Sequence, residues 1–509
     1  MSATMRTLVY LIGTGPGAPG LITARGQRCL EAADVVIYDR SVHPRVLDLA
    51  PRRAERIDVG RPAREATDQD AISFLLAEKA REGKVVARLK QGDPFLFDRG
   101  GEEALFLHEQ GIPFEVVPGV PVVLGVAAYA GIPLTYPGGG DTLTIVRGHE
   151  VGSGARTRIN WAQLAKQDGT LVCFGGRDEL AEVLKALTDH GRPADDRAAL
   201  VTHGTLAGQQ TVAGTIEDIA ASLALGPIDG SATLVVGKVV GLRDHVRWFD
   251  RRPLFGRRVL VTRSRHQAGE LVELLEAAGA EAVEAPMLRV APLEDFAALD
   301  AAADTMAACD WVVFTTVNGV DGFMHRIFER GRDARTLAGP TICAVGVGTS
   351  ERMARFGIRV DVVAEGQGVD SILAAMGGAD ALPGKRVLMP VSAGNRDTLT
   401  EALIAAGANV QQAPTFRTLA AEDNPELDVY GQLLQRRIDV VTFTSAAAVR
   451  SFAALYGEEQ TADLLAHTVV ATVGPAATDA VRRLGVSPAI VPATPSIPAL
   501  VEAIRTHFQ

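Results

Sequence analysis

The chain has 509 residues, 47% of them hydrophobic and 22% charged, with 52 glycines, 26 prolines and a formal net charge of -10. That length exceeds a single hydrophobic core and suits about three to four domains of roughly 150 residues. The acidic balance argues against nucleic acid or anionic membrane as partners, since both need a broad basic surface, so an anionic ligand would have to be met by local arginines.

The first apolar run, Leu8 to Ile12, leads straight into a glycine loop without the basic, apolar, small-residue order of a signal peptide. The longest apolar stretch, Val122 to Leu134, falls short of the ~20 residues that span a bilayer and contains Gly125, Gly131 and Pro133; a buried helix is expected there. Cys29, Cys173, Cys309 and Cys343 form no CxxC pair, and the ten histidines show neither HExxH nor clustered metal spacing. Buried thiols, no metal and a cytoplasmic setting are the expectation.

Short apolar runs at Leu8 to Ile12, Asp34 to Tyr38 and Lys84 to Leu89 alternate with helical patterns, as in a covered, largely parallel sheet. Gly13, Gly15 and Gly17 stand in the first loop, where Gly13, Gly15 and Ala18 satisfy GxGxxA, and Asp39 closes the next strand 21 residues beyond Ala18. That is the dinucleotide pattern of a nicotinamide oxidoreductase, here fused to a bilobed ligand-binding regulator, and it stands as the alternative reading. Pro16 and Pro19 count against it, because each removes an N–H from a loop meant to cradle a pyrophosphate.

A second motif, RLKQGDPFLFDRGGEE from Arg88 to Glu103, follows an apolar strand. It resembles the uroporphyrinogen-III methyltransferases of the tetrapyrrole methylase family. The resemblance continues through ADVVIYDR (Asp34 to Arg40), GIPFEVVPGV (Gly111 to Val120), AYAGIPLT (Ala128 to Thr135), RGHE (Arg147 to Glu150), HGT (His203 to Thr205) and VVGKVVGLRD (Val235 to Asp244). It implies a two-lobed α/β methylase over residues 1–249, with lobes of about 1–135 and 136–249, that binds S-adenosyl-L-methionine. The implied reaction methylates uroporphyrinogen-III at C2 and C7 to precorrin-2, and a homodimer through this half is implied as well.

By that resemblance Asp39 is the general base, Arg99 and Glu102 face the tetrapyrrole with Arg40 a further partner, and Arg61 stands where the family has a proton-donating lysine. Pro16, Gly92, Asp93, Leu96 and Gly204 take cofactor positions. The bland reading makes Asp39 a loop cap, pairs Arg99 with Glu103, and leaves Asp93 as an ordinary turn residue before Pro94. This chain also departs from the family. Gln91 replaces the first glycine of GGDP, Pro121-Val122 replaces a hydroxyl pair, Phe174 replaces a methionine and Tyr136-Pro137 replaces a His-Arg pair. Arg61 keeps the charge but is a poor proton donor, with a pKa above ~12. Altered methyltransferase activity is expected.

Residues 250–256 read as a linker, and residues beyond it repeat. RVLVTRSRHQAGELVELLEAAGA from Arg258 returns as RVLMPVSAGNRDTLTEALIAAGA from Arg386, 128 positions on, and the FTTVNGV and AVGVGT segments return as FTSAAAV and TVGPAAT. A unit of that size is a small α/β lobe, so a pair of flavodoxin-like lobes enclosing a cleft is expected. From Arg257 on, RVLVTR with Gln267, these turns and the ATPSIPALVEAI tail resemble uroporphyrinogen-III synthase. The implied lobes are about 257–290 plus 421–509, and 291–420.

The synthase resemblance implies cofactor-free closure of hydroxymethylbilane with inversion of its last ring. Such positional catalysis calls for N–H and O–H donors at strand ends. Arg263, Thr316, Asn318, Thr349, Asn395, Arg396, Ser445 and Thr478 are the candidate substrate contacts, with helix capping the plain alternative for each hydroxyl. Phe416 stands where the family often has a tyrosine acid.

Overall fold

The computed structural model describes residues 8–51, 53–60, 69–139, 141–147, 159–226, 228, 230–263, 265–364, 368–394, 398–421 and 427–509. Among them no helix is long and apolar enough to cross a membrane.

The first lobe is a five-stranded parallel sheet in the spatial order Glu55–Asp58, Val35–Tyr38, Val86–Lys90, Val9–Gly13, Phe114–Val117. Helices at Ala24–Glu31, Gln69–Arg81 and Gly100–Glu109 connect its strands. Successive residues of a strand point to opposite faces. Val9 and Leu11 accordingly enter one apolar cluster with Val35, Ile37 and Leu76, whereas Ile12 enters the other with Leu30, Val36 and Leu89. Covering both faces leaves the C-terminal strand ends as the open rim, where ligands gather in open α/β sheets. Thr14, Asp39, Gln91 and Pro118 are the first residues past four of those ends.

The second lobe is mixed rather than parallel. Its order is Leu143–Arg147, Thr170–Gly175, Ala232–Val236, Arg197–Thr202, Gln210–Thr215, with only the first pair parallel. Seven residues separate Thr202 from Gln210. That is too short for a crossover, so those strands form an antiparallel hairpin.

The duplicated part forms two sheets. One has the order Glu281–Glu284, Arg258–Val261, Val440–Phe443, Val469–Thr472; the other runs Leu288–Ala291, Asn409–Ala420, Arg386–Ser392, Trp311–Phe314, Thr341–Val345, Val362–Ala364. The repeat is thus exchanged between them: each sheet takes the leading strand of one copy and the two later strands of the other. Corresponding strands carry corresponding helices, Val317–Glu329 with Ala446–Tyr456 and Val347–Arg355 with Pro475–Arg483.

Candidate active sites

Glycines let the methylase loops meet. Gly15 and Gly92 exchange both backbone hydrogen bonds, at 3.3 and 2.7 Å, and both are left-handed, with φ of 82° and 72°. A Cβ on Gly13 would lie 2.5 Å from the Gly92 carbonyl and 2.6 Å from the Gly119 nitrogen, and one on Gly92 would lie 3.0 Å from Val122 Cγ2. Three strand-end loops therefore close on one another with no room for side chains.

Side chains then lock the contact. Gln91 Nε2 donates to the Pro16 carbonyl at 3.2 Å, so the residue that departs from the family adds a clasp between loops. Asp93 accepts from Phe95 N at 2.9 Å and Gly119 N at 3.1 Å; it is a turn residue and an interloop tie together. Gly204 lies between two non-glycine residues in the left-handed region, His203 (φ 48°) and Thr205 (φ 71°), a costly arrangement that clusters at functional loops. Thr205 Oγ1 accepts from Ala18 N at 3.0 Å, and a Cβ on Gly204 would lie 2.4 Å from Val126. Leu96, Val122 and Phe174 form one partly buried apolar wall over Val123, Val126 and Val172. Pro121 caps the helix Val122–Tyr129 without a side-chain hydrogen bond.

All nine expected cofactor positions are thus tied into one neighbourhood. The nicotinamide alternative fails on the same loop. After Ala18 comes a 3-10 turn, Pro19–Leu21, and the helix begins only at Ala24. The helix that follows these glycines therefore does not start on them to hold a pyrophosphate.

Beside this neighbourhood lies a charge cluster that motif reading did not single out. Arg88 and Lys90 sit on one face of a strand whose five residues are all buried. Charges so placed need partners. Arg88 Nη2 donates to Asp39 Oδ1 at 2.7 Å and its Nε to Glu103 Oε1 at 3.1 Å; Lys90 Nζ donates to the same Glu103 oxygen at 3.1 Å. Lys90 Nζ also lies 4.0 Å from Asp39 Oδ2 and 3.9 Å from Asp98 Oδ2. Burial disfavours the Arg88 charge, and Glu103 with Asp39 more than restores it. Asp39 keeps a quarter of its side chain exposed, at the mouth of the cluster.

Arg99 and Glu102 pair with each other at 2.7 Å on the exposed side of the same segment, and Arg99 holds the Glu102 carboxyl below the usual range. The Arg99–Glu103 pair of the bland reading is replaced, because Glu103 turns inward to the two buried cations. Arg61 and residues 148–150 lie outside the described residues. A signal for the cluster was present: two cations two residues apart in an otherwise apolar strand demand buried carboxylates.

In the duplicated half the expected hydroxyls stand at strand ends, each at a helix start. Thr316 Oγ1 accepts from Gly319 N and Ser445 Oγ from Ala448 N, at 3.1 and 3.2 Å, so both cap helices at matching positions of the repeat. Thr478 shares a 2.7 Å hydrogen bond with Thr472, and Thr349 is buried in the first turn of its helix. Burial pulls the Arg263 guanidinium below its usual value, with Glu270 opposing. Asn318 and Phe416 line one cleft of about 620 Å³ with Asp321, His325, Arg326 and Arg352. These two arginines escaped motif reading; Arg326 pairs with Asp300 and Arg352 with Asp321. Asn395, Arg396 and the Gln267 side chain lie outside the described residues.

Residues 8–220 match the family model of Tetrapyrrole (Corrin/Porphyrin) Methylases, and residues 269–502 match Uroporphyrinogen-III synthase HemD. The chain is 36% identical over 448 residues to the porphyrin biosynthesis protein HemD of Ruminiclostridium josui, covering 88% of each chain. It is 45% identical over 243 residues to a siroheme synthase of Pseudomonas aeruginosa, covering 48% of this chain and about half (52%) of that one. Among solved structures it is similar to uroporphyrin-III-C-methyltransferase from Thermus thermophilus (38% identity, 48% of this chain and 99% of that one, TM-score 0.40). Uroporphyrinogen III synthase from the same organism aligns over 49% of this chain and 98% of that one, at 20% identity and TM-score 0.37.

Fold, loops and matches define a class: two α/β enzymes of tetrapyrrole biosynthesis carried in tandem. The chain belongs to the family in which a tetrapyrrole methylase is fused to a uroporphyrinogen-III synthase, and it is bifunctional.

Proposed function

We propose that the amino-terminal half methylates uroporphyrinogen-III at C2 and C7 to precorrin-2 and that the carboxy-terminal half makes its substrate from hydroxymethylbilane. One observation carries the methylase reading: the Asp39 carboxylate, anchored by Arg88, stands at a strand end beside the loops that meet at Gly92.

The glycine cradle and the apolar wall of Leu96, Val122 and Phe174 fit S-adenosyl-L-methionine, whose adenine needs a flat apolar face. Pro16, Gln91, Gly92, Asp93, Pro121 and Gly204 complete that site. When bound, the cofactor supplies an electrophilic methyl group. The chain aligns a ring carbon with it, and Asp39 takes the proton that the macrocycle loses as its double bonds rearrange. Arg99 and Glu102, exposed one helical turn from the cluster, contact the tetrapyrrole carboxylates and nitrogens.

Cyclisation is handled by hydroxyls. In a helix cap the oxygen accepts and the O–H remains free to donate, so Thr316 and Ser445 can cap and bind substrate at once; Asn318, Thr349, Thr478, Arg263, Asn395 and Arg396 complete the set. Phe416 supplies no proton, so the acid comes from water or substrate. The synthase half works without a cofactor. The enzyme acts in the cytoplasm as a homodimer through the methylase half, which sedimentation of the full chain tests.

Feeding hydroxymethylbilane to the full chain, with and without S-adenosyl-L-methionine, tests both halves. Chromatography and mass should show uroporphyrinogen-III alone without the cofactor and a dimethylated product with it. Only the uninverted isomer, and no methylated mass, would overturn the reading. A trimethylated product would count against the assigned endpoint.

A further inference from the structure

Asp98 and Glu103 are the carboxylates of the buried charge cluster that neither the cofactor cradle nor the general-base role accounts for; each has a sealed oxygen that accepts no hydrogen bond, and of the two Asp98 reaches solvent. Two left-handed residues, Phe97 (φ 60°) and Arg99 (φ 57°), flank it, and the backbone of this segment closes through a 3.0 Å hydrogen bond from Gly100 N to the Pro94 carbonyl. The strained turn aims Asp98 at Lys90. About a third of the side chain is exposed, yet Oδ2 is sealed from solvent and accepts no hydrogen bond. A lone carboxylate oxygen in that state is costly when charged.

The charges around it make a proton the natural complement. Arg88 and Lys90 bring two positive charges from the strand Val86–Lys90; Asp39 from the next strand end, Glu103 from the helix Gly100–Glu109 and Asp98 itself bring three negative ones. The cluster as a whole is one proton short of neutral.

We propose that Asp98 is where the proton removed during methylation comes to rest, passed on from Asp39 by way of the Lys90 ammonium, which lies 4.0 Å from Asp39 and 3.9 Å from Asp98 and swings into hydrogen-bond reach of each in turn. A ring carbon forms its bond to the methyl carbon while the sulfur–methyl bonding pair stays on sulfur, leaving a cationic macrocycle. That cation loses a C–H proton to Asp39, and the bonding pair restores the ring π system. Lys90 hands one proton to Asp98 and takes the one from Asp39, which is ready for the second methyl group; Asp98 releases its proton through its exposed side. Asp98 acts through Lys90 and Asp39, so it is a positioning residue. Desolvation, reinforced by Asp39 and Glu103 and opposed by Lys90 and Arg88, pushes its carboxyl up to about 7, which suits a proton held and released near neutrality.

The proposal rests on the methylase reading, and the test separates the two. Methylation by the full chain is followed between pH 6 and 8 for wild type, D98N and D98E, with the calorimetric transition of the methylase half reporting folding. Wild-type kcat should rise through pH 7 as Asp98 ionises and becomes able to accept. D98N should lose about tenfold in kcat at pH 8, at unchanged KM, with a flat profile, and D98E should restore the slope. Infrared difference spectra of the chain without substrate should show a carboxylic-acid band fading through pH 7 in wild type and missing from D98N. A D98N chain with the wild-type profile, or retaining that band, overturns the proposal alone. A wild-type chain giving no methylated product overturns the methylase reading and the proposal together.

Discussion

The two halves bury polar groups of different kinds. In the methylase half the fully buried polar side chains include Arg88, Lys90 and Glu103; in the duplicated half, among the described residues, every buried polar side chain is a threonine. Several of those threonines pay off their burial with local bonds, such as Thr262 to the Thr442 carbonyl at 2.7 Å and Thr442 to the Leu260 carbonyl at 2.9 Å. Neutral hydroxyls cost little to bury once they donate to a carbonyl, whereas a buried charge is tolerated only inside a balanced network. The difference matches the chemistry assigned to each half. Methyl transfer to carbon must dispose of a proton, which calls for titratable groups, and ring closure needs a flexible chain held in one shape by many weak donors.

The sharpest way to break this contrast is to unbalance the charged half. Glu103→Gln leaves Arg88 and Lys90 without their shared, fully buried acceptor. Removing one partner of a buried pair costs about 3–5 kcal/mol, so a calorimetric transition of the methylase half should fall well below that of the synthase half, whose turnover should persist. Asp39→Asn comes next. It keeps the shape and removes the base, and methylation should drop by roughly a hundredfold or more while cyclisation is unchanged. Equal loss of both activities would sink the assignment of Asp39 to one half.

Much of this was readable in the residues, and the exceptions have a common cause. Strands, glycine loops and the duplication follow from local periodicity and self-similarity, and the hydroxyls at Thr316 and Ser445 advertised helix starts. The cofactor positions came from motif resemblance, and the structure ties them into one neighbourhood. What stayed hidden were pairings between residues far apart in the chain: Asp39 with Arg88, Glu103 with Lys90, and the arginines Arg326 and Arg352 with their aspartates. Beyond its short-looped hairpin, the antiparallel pairing of the second lobe was also set by tertiary packing, which no local pattern reports.

Smaller effects sharpen the neutral half. Thr316→Ala and Ser445→Ala each remove a cap, worth about 1 kcal/mol. Thr316→Asn and Ser445→Asn restore an accepting side chain without the O–H. If the hydroxyls also hold substrate, the Asn variants should recover thermal stability yet keep a raised KM for hydroxymethylbilane; recovery of both would leave them as caps alone. In the charged half, Asp98→Asn should shift stability with pH. The folded Asp98 carboxyl is raised to about 7, so the folded state holds a proton that the unfolded chain has lost, and wild type becomes less stable as pH rises from about 4 to about 7. The advantage of the variant should therefore grow across that window and level off above it.

Thiol reactivity gives the smallest effect and reads each half separately. Cys29, Cys173 and Cys343 are buried and Cys309 is half-buried. Desolvation raises all four thiols above their usual value, Cys173 to about 12 and Cys343 to about 11. The thiolate is the reactive form, so at pH 8 the native chain should react with a maleimide slowly and at Cys309 first. Cys29 packs with Ile12, Val36 and Leu89 on the sheet that carries the charge cluster, whereas Cys343 packs with Val313 and Met389 in the other half. Local opening of the first sheet in Glu103→Gln should thus expose Cys29 while Cys343 keeps its wild-type rate, as peptide mass mapping after timed labelling would show. Parallel acceleration at both cysteines would mean that the two halves open together, and that the charged network stabilises more than its own lobe.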